Sequence, residues 1–300
     1  MTKIWFSPYE LHSAGTLNAH SKKRTFHGAL IRQGSGFACL HPWPELGDRT
    51  LTDCLADRSS PLMQRALACV QADGEAREQN VSLFQNLTVP ESHATLPAPN
   101  HQLVEKALHS GFTTIKIKAA ETLGSKLKAL LNDFSEVQWR IDFNGTALED
   151  ILRRDLSEIT AKIDFIEDPF PFEQSRWDAF EKESGIPLAN DWAVEENSNG
   201  GIHIIKPAAN DPAPILGRSG RKVFTSYMDH PLGQSFAAWQ AALVDSSDGV
   251  GEIHGLQTHH LFEPNPFIEA LGPHSPGFQV PAGPGLGFQD LLEALPWKAL

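Results

Sequence analysis

Thr114-Ile115-Lys116-Ile117-Lys118 alternates β-branched residues with lysine and ends on the cation. Alternate side chains of a strand share a face, so Lys116 and Lys118 point one way and Ile115 and Ile117 the other. The isoleucines suit a face covered by helices. A strand inside a strand–helix alternation is not the edge strand that lysines commonly guard. Working outward, ionisable residues recur at the ends of successive strand candidates: Lys118, Asp142, Glu167 and Asp191, at intervals of 24, 25 and 24 residues. Lys206 follows after 15 more. Each longer interval is about one strand plus one helix. Surface decoration would not keep to such a repeat.

The strand candidates are 113–118, 138–143, 163–167, 186–189, 201–206, 221–226 and 252–256, with a weaker one at 93–96. Helical patterns lie between them at 123–131, 147–160, 174–182 and 234–244. This alternation predicts a parallel sheet with covering helices. Eight such strands close a barrel whose active site sits at the C-terminal strand ends. Residues 1–50 have another texture. They are β-rich, and 25–39 reads as a hairpin turning at Gly34-Ser35-Gly36. Residues 60–90 read as helical, and Leu96-Pro97-Ala98-Pro99-Asn100 closes this first region.

The chain has 300 residues, 41% hydrophobic and 21% charged, an ordinary globular composition. With 25 basic and 37 acidic residues its formal net charge is −12. That charge and the lack of a long basic run disfavour nucleic acid and anionic membrane as partners. No apolar run approaches the roughly 20 residues that span a bilayer. The start of the chain shows no secretory signal pattern, so a cytoplasmic location is expected. Cys39, Cys54 and Cys69 form no Cys-x-x-Cys pair, and reduced thiols are expected.

Three carboxylates converging at one rim repel one another unless protons or a cation intervene. Each alone is equally a cap for the helix after its strand. Three in register suit a hard divalent cation with oxygen ligands, magnesium above zinc or copper. A partly desolvated lysine beside a cation has its pKa biased downward and is a candidate general base. A divalent cation with a lysine base suits abstraction of a proton α to a carboxylate, because the product carries two negative charges on one carboxyl group.

The ordered motifs resemble the muconate-lactonising branch of the enolase superfamily, and within it the o-succinylbenzoate synthases. The resemblance rests on Lys116-Ile117-Lys118, Arg140-Ile141-Asp142-Phe143-Asn144, Ile166-Glu167-Asp168-Pro169, Leu188-Ala189-Asn190-Asp191 and Ile205-Lys206-Pro207. Ser226 to Gly233, His254-Gly255-Leu256 and Gly285-Leu286-Gly287 extend it over nearly the whole chain. It implies a (β/α)7β TIM-like barrel at 96–274 and an N-terminal α+β capping domain at 1–95, completed by about 275–300. It implies Lys118 as the base and then the acid, and Lys206 as the stabilising cation on the opposite face. Asp142, Glu167 and Asp191 would bind magnesium, with manganese as a substitute. Lys116 would orient and tune Lys118, with Asn144 in support. Arg140, Ser226 and Gly255 are candidates for substrate contact, although an ion pair inside the barrel is the favoured role for Arg140. The implied reaction is syn dehydration of 2-succinyl-6-hydroxy-2,4-cyclohexadiene-1-carboxylate to 2-succinylbenzoate in menaquinone biosynthesis. The partner would be a small carboxylate substrate, and the assembly a monomer or weak homo-oligomer.

The sequence departs from this pattern in places. Trp192 follows Asp191 where the family usually has Glu, and Asn190 stands at a usually apolar position. Asp229 and Tyr227 replace a Glu and a second Ser on the seventh strand. Leu256-Gln257-Thr258-His259-His260 lacks the Asp-x-Asp with which dipeptide epimerases hold the substrate amine. N-succinylamino acid racemase and muconate cycloisomerase share the lysine template, although cycloisomerase chains tend to be longer. An inactive barrel serving as a binding module is a further alternative. His254, His259 and His260 cluster near the last strand and are candidates for loop positions or for contact with substrate or metal.

Overall fold

A computed structural model describes residues 3–15, 17, 23–194, 200–249 and 251–300. In chain order the elements begin with β1 (Ile4–His12), β2 (Thr25–Gln33), β3 (Gly36–Leu40), α1 (Leu51–Ala56), α2 (Pro61–Glu78) and β4 (Ala94–Leu96). There follow α3 (His101–His109), β5 (Thr114–Lys118), α4 (Gly124–Asp133), β6 (Gln138–Asp142), α5 (Glu149–Leu156), β7 (Lys162–Glu167) and α6 (Gln174–Ser184). The last are β8 (Leu188–Asn190), β9 (Ile202–Ile205), α7 (Pro212–Leu216), β10 (Arg221–Phe224), α8 (Pro231–Asp248), α9 (Pro266–Ala270), α10 (Gln289–Glu293) and β11 (Lys298–Ala299). The chain forms two compact units. One holds residues 1–91, 206–211 and 224–300, the other 92–205 and 212–223.

The second unit is built on a curled seven-stranded sheet in the order β10-β9-β8-β7-β6-β5-β4. The pairings from β4 to β9 are all parallel. The alternation in β5 behaves as read: Ile115 and Ile117 are fully buried in a cluster with Val104, Leu127, Leu130, Trp139 and Ile141. Helix ends carry their own signals. Asn100 caps α3 by accepting the Leu103 N–H at 3.1 Å, and Gly185 ends α6 in the left-handed region.

The first unit contains an antiparallel sheet in the order β11-β1-β2-β3. Gln33 pairs with Gly36 across the expected turn, with Gly34 at φ +61°. Helix α2 packs on β3, and the three cysteines are free and buried. Together the parallel sheet and the antiparallel N-terminal sheet make the barrel-and-cap fold class that the motifs imply.

Two expectations are corrected. The eighth strand at 252–256 is reduced to one bridge, Thr225 with Gly255. Gly255 N–H donates to the Phe224 carbonyl at 2.8 Å and Ser226 N–H to the Gly255 carbonyl at 2.9 Å. The Phe224 N–H, however, goes to His254 Nδ1 at 2.9 Å, so a side chain takes the donor a longer ladder needs. The helix expected over 147–160 ends at Leu156, where the Ser157 and Glu158 N–H groups bond three residues back in a tightening turn. Helices α1, α3 and α7 were not read from the sequence.

Candidate active site

Parallel pairing sets Lys118, Asp142 and Glu167 side by side on β5, β6 and β7, with Ala189 of β8 next in the row. Adjacent strands lie roughly 4.8 Å apart, so this register alone gathers the ionisable groups. Asp191 lies just past the end of β8. Lys116, one turn of the pleat below Lys118, reaches up into the row. Its Nζ is 3.1 Å from Asp142 Oδ2 and donates to Glu167 Oε1 at 2.6 Å. Lys116 thus lies on the face that carries Asp142 and Glu167.

Lys116 is buried among carboxylates. Burial works against its charge. Asp142, Glu167 and Asp191, with the Glu167 hydrogen bond, outweigh that and hold the ammonium well above the ordinary lysine range. These carboxylates hold Lys116 as an ammonium.

Backbone N–H groups fix the carboxylates in turn. Asn144, at φ +49°, donates its N–H to Asp142 Oδ1 at 3.0 Å. Asp168 supplies a link that sequence reading missed. It is buried at φ +40°, and its two carboxyl oxygens accept the N–H groups of Asp191 and Trp192, each at 3.1 Å. Its carbonyl accepts the Gly145 N–H at 2.6 Å, so it also fixes the loop after β6. Burial first, then Asp191, Glu167 and Asp142, push its carboxyl well above the usual carboxylate range. The available signal was a second acid directly after Glu167 and before a proline. Trp192 itself is 61% exposed, and a Cβ on Gly145 would lie 3.5 Å from its ring.

Asp142, Glu167 and Asp191 around one buried ammonium leave this end of the sheet net anionic. Its donors are all oxygens, which fits a hard divalent cation. Among the described residues no three acidic, histidine or cysteine side chains close round one point, and Lys116 contacts both Asp142 and Glu167.

Of the two roles open to Arg140, the geometry favours the ion pair within the sheet. It is 1% exposed, donates its Nε to Asp164 Oδ2 at 2.8 Å, and sets Nη1 3.0 Å from His93 Nδ1. Arg221 donates to the same Asp164 at 2.8 Å. The ion-pair network occupies the guanidinium within the sheet.

Lys206, Ser226 and Gly255 belong to the first unit. Ser226 is buried, and its Oγ lies 2.9 Å from Thr258 Oγ1. Its bond to the Gly255 carbonyl brings these two candidates together. The Lys206 N–H donates to Asn210 Oδ1 at 3.1 Å, and its ammonium lies 5.8 Å from the centre of the Tyr227 ring. The histidine group divides. His254 sits between Phe224 N–H and Asp245, whereas His259 and His260 group with His274.

Residues 4–76 match the family described as O-succinylbenzoate synthase, N-terminal domain. A curated relative, the o-succinylbenzoate synthase of Bdellovibrio bacteriovorus, is 28% identical over 333 aligned residues covering 100% of this chain and 99% of that protein. The chain is similar to o-succinylbenzoate synthases. Among solved structures, N-succinyl Arg/Lys racemase from Bacillus cereus superposes with a TM-score of 0.76 at 12% identity, covering 100% of this chain and 99% of that one. Muconate lactonizing enzyme from Pseudomonas fluorescens gives 0.71 at 14% identity, with 95% of each chain covered. The fold is therefore that of the enolase superfamily with its capping domain, and the resemblance read from the ordered motifs holds. No helix among the described residues is long and apolar enough to cross a membrane.

Proposed function

We propose that this chain is an o-succinylbenzoate synthase acting on 2-succinyl-6-hydroxy-2,4-cyclohexadiene-1-carboxylate in menaquinone biosynthesis. The observation that carries the reading is the in-register row Lys118–Asp142–Glu167, with Lys116 buried beneath it and Asp191 held by Asp168 beside it. Asp142, Glu167 and Asp191 would hold magnesium, or manganese in its place, which when bound offsets the second negative charge that develops on the substrate carboxylate. Lys118 takes the α-proton on its neutral amine. The resulting ammonium then gives a proton to the departing hydroxyl, so water leaves and the ring becomes aromatic. Lys116 stays charged throughout. Lys206 acts as the second cation, stabilising the intermediate without exchanging a proton.

The proposal includes a capping domain at 1–95 with about 275–300, a catalytic barrel at 96–274, a cytoplasmic location and a monomer or weak homo-oligomer. Its test is turnover by EDTA-stripped protein, followed as loss of the diene absorbance with and without magnesium. Magnesium-dependent formation of 2-succinylbenzoate is expected. No turnover, with racemisation of N-succinylamino acids instead, would overturn the reading.

A further inference from the structure

Tyr227 replaces a serine of the family pattern, and its ring is unusually well fixed. Its hydroxyl donates to Asp48 Oδ2 at 2.8 Å. The Trp43 N–H donates to the same oxygen at 2.7 Å, and Trp43 Nε1 donates to the Tyr227 carbonyl at 2.8 Å. These three bonds form a closed circuit between the segment 43–48 and the end of β10. Trp43, the anchor, is 1% exposed and packs on Phe26 with ring centres 4.7 Å apart. Met228, next after Tyr227, holds φ +49°, a conformation that costs energy for a non-glycine residue and persists only where the surroundings fix it.

The ring so fixed lies within cation–π range of the Lys206 ammonium. A phenol hydrogen-bonded to a carboxylate carries more electron density on its ring, and the Asp48 charge also attracts the ammonium. The backbone of Lys206 is pinned independently: its carbonyl accepts the N–H groups of Ala209 at 2.8 Å and Asn210 at 2.7 Å. We propose that Tyr227 and Asp48 are positioning residues that hold the Lys206 side chain in place as an ammonium. This rests on the reading of Lys206 as the second active-site lysine. It explains why a lysine chemically able to act as a base serves as a fixed cation. Asp48 also feels the charge of Glu45, and Arg65, paired with Asp211, donates Nε to the Pro207 carbonyl at 3.0 Å.

A purely structural tie would hold segment 43–48 down without changing the lysine's ionisation, and the two roles separate experimentally. The full-length protein is treated with an amine-acylating reagent across a pH series. Labelling of Lys206 is read by peptide mass spectrometry, with exposed Lys298 as the internal reference. In Asp48→Asn and Tyr227→Leu the midpoint for Lys206 should fall by about one pH unit while that of Lys298 stays put. Tyr227→Phe, which keeps the ring and loses the hydroxyl, should lie between these and the parent, and Asp48→Glu should restore the parent midpoint. A Lys206 midpoint unchanged in Asp48→Asn and in both Tyr227 variants overturns the proposal. If Tyr227→Leu does not fold, Tyr227→Phe and Asp48→Asn decide. The labelling needs no substrate, so absence of turnover in the parent protein would sink the functional reading and leave this result standing.

Discussion

Lys118 and Lys116 differ by two positions in sequence and by their whole chemistry in the fold. Lys116 is buried against two carboxylates, which hold it as an ammonium. Lys118 stands one step nearer the open end of the sheet, and the proton transfer is assigned to it. Lys118→Ala should therefore abolish dehydration while circular dichroism and magnesium binding stay unchanged; retained turnover would remove it from the role. Asp191→Asn should leave the fold intact and raise the magnesium concentration for half-maximal activity by at least tenfold, and an unaltered titration would exclude it as a ligand. Asp229 tests the electrostatics away from the Lys118–Asp142–Glu167 row. It is fully buried, and burial pushes its carboxyl up to about 7. The unfolded chain loses this proton near the ordinary carboxylate value, whereas the folded chain keeps it until about pH 7. The folded state thus binds more protons between these values, and stability falls as pH rises through that window. Asp229→Asn should flatten the decline and raise stability at pH 8 by on the order of 3 kcal/mol. Urea titrations at pH 5 and pH 8 that show the same pH dependence in both proteins would refute this.

At the scale of elements, legibility followed periodicity. Strands β5, β6 and β7 were readable because each is a short stretch with β-branched or aromatic residues that ends on an ionisable one, and their register then placed three candidate site residues in one row. Helix α3 was missed because its polar residues hide a short apolar stripe of Val104 and Ala107. The eighth strand was over-read, since nothing in the sequence of 252–256 says that the His254 ring will take the Phe224 N–H. Asp168 was quoted but given no role, because its importance lies in two backbone N–H groups that follow a different strand. Close element contacts are likewise invisible until the backbone is placed. Gly36 opens β3 against α2, and a Cβ there would lie 1.9 Å from the Val70 carbonyl oxygen and 2.8 Å from the Gly74 nitrogen. Both obstacles are backbone, so strand and helix must separate. Gly36→Ala should cost about 2–3 kcal/mol. Gly74→Ala meets Gly36 only at 3.2 Å and gains about 1 kcal/mol of helix propensity, so it should be near neutral. Equal losses for the two variants in denaturant melts would contradict this reading of the contact.

At the scale of the molecule, the two ends of the chain belong to one unit, and a single buried aspartate ties them. Asp73 on α2 is fully buried. Its Oδ2 accepts the Phe37 N–H at 2.8 Å and Arg77 Nε at 2.6 Å. Its Oδ1 accepts the Leu286 N–H at 2.7 Å, more than two hundred residues along the chain. Arg77 continues the tie by donating Nη2 to the Gly287 carbonyl at 2.7 Å. Gly285, at φ +61°, makes the approach feasible, since a Cβ there would fall 2.1 Å from Asp73 Oδ1. Further along, β11 adds to the edge of β1 through Trp5 with Ala299 and Phe6 with Lys298. The segment 4–76 that matches the synthase N-terminal domain is thus completed by residues from the other end of the chain. Asp73→Ala would strand a buried guanidinium and two backbone donors at once. The loss should be about 3–5 kcal/mol, the range for removing one partner of a buried ion pair. Asp73→Asn keeps an acceptor oxygen and should lose less. Because the lost bonds hold 285–289, limited proteolysis of Asp73→Ala should cut first after residue 280, before the parallel sheet of the second unit is attacked. Cleavage beginning in the sheet, or a melting temperature equal to that of the parent, would mean that β11 and the packing of Leu286 hold the tail without Asp73.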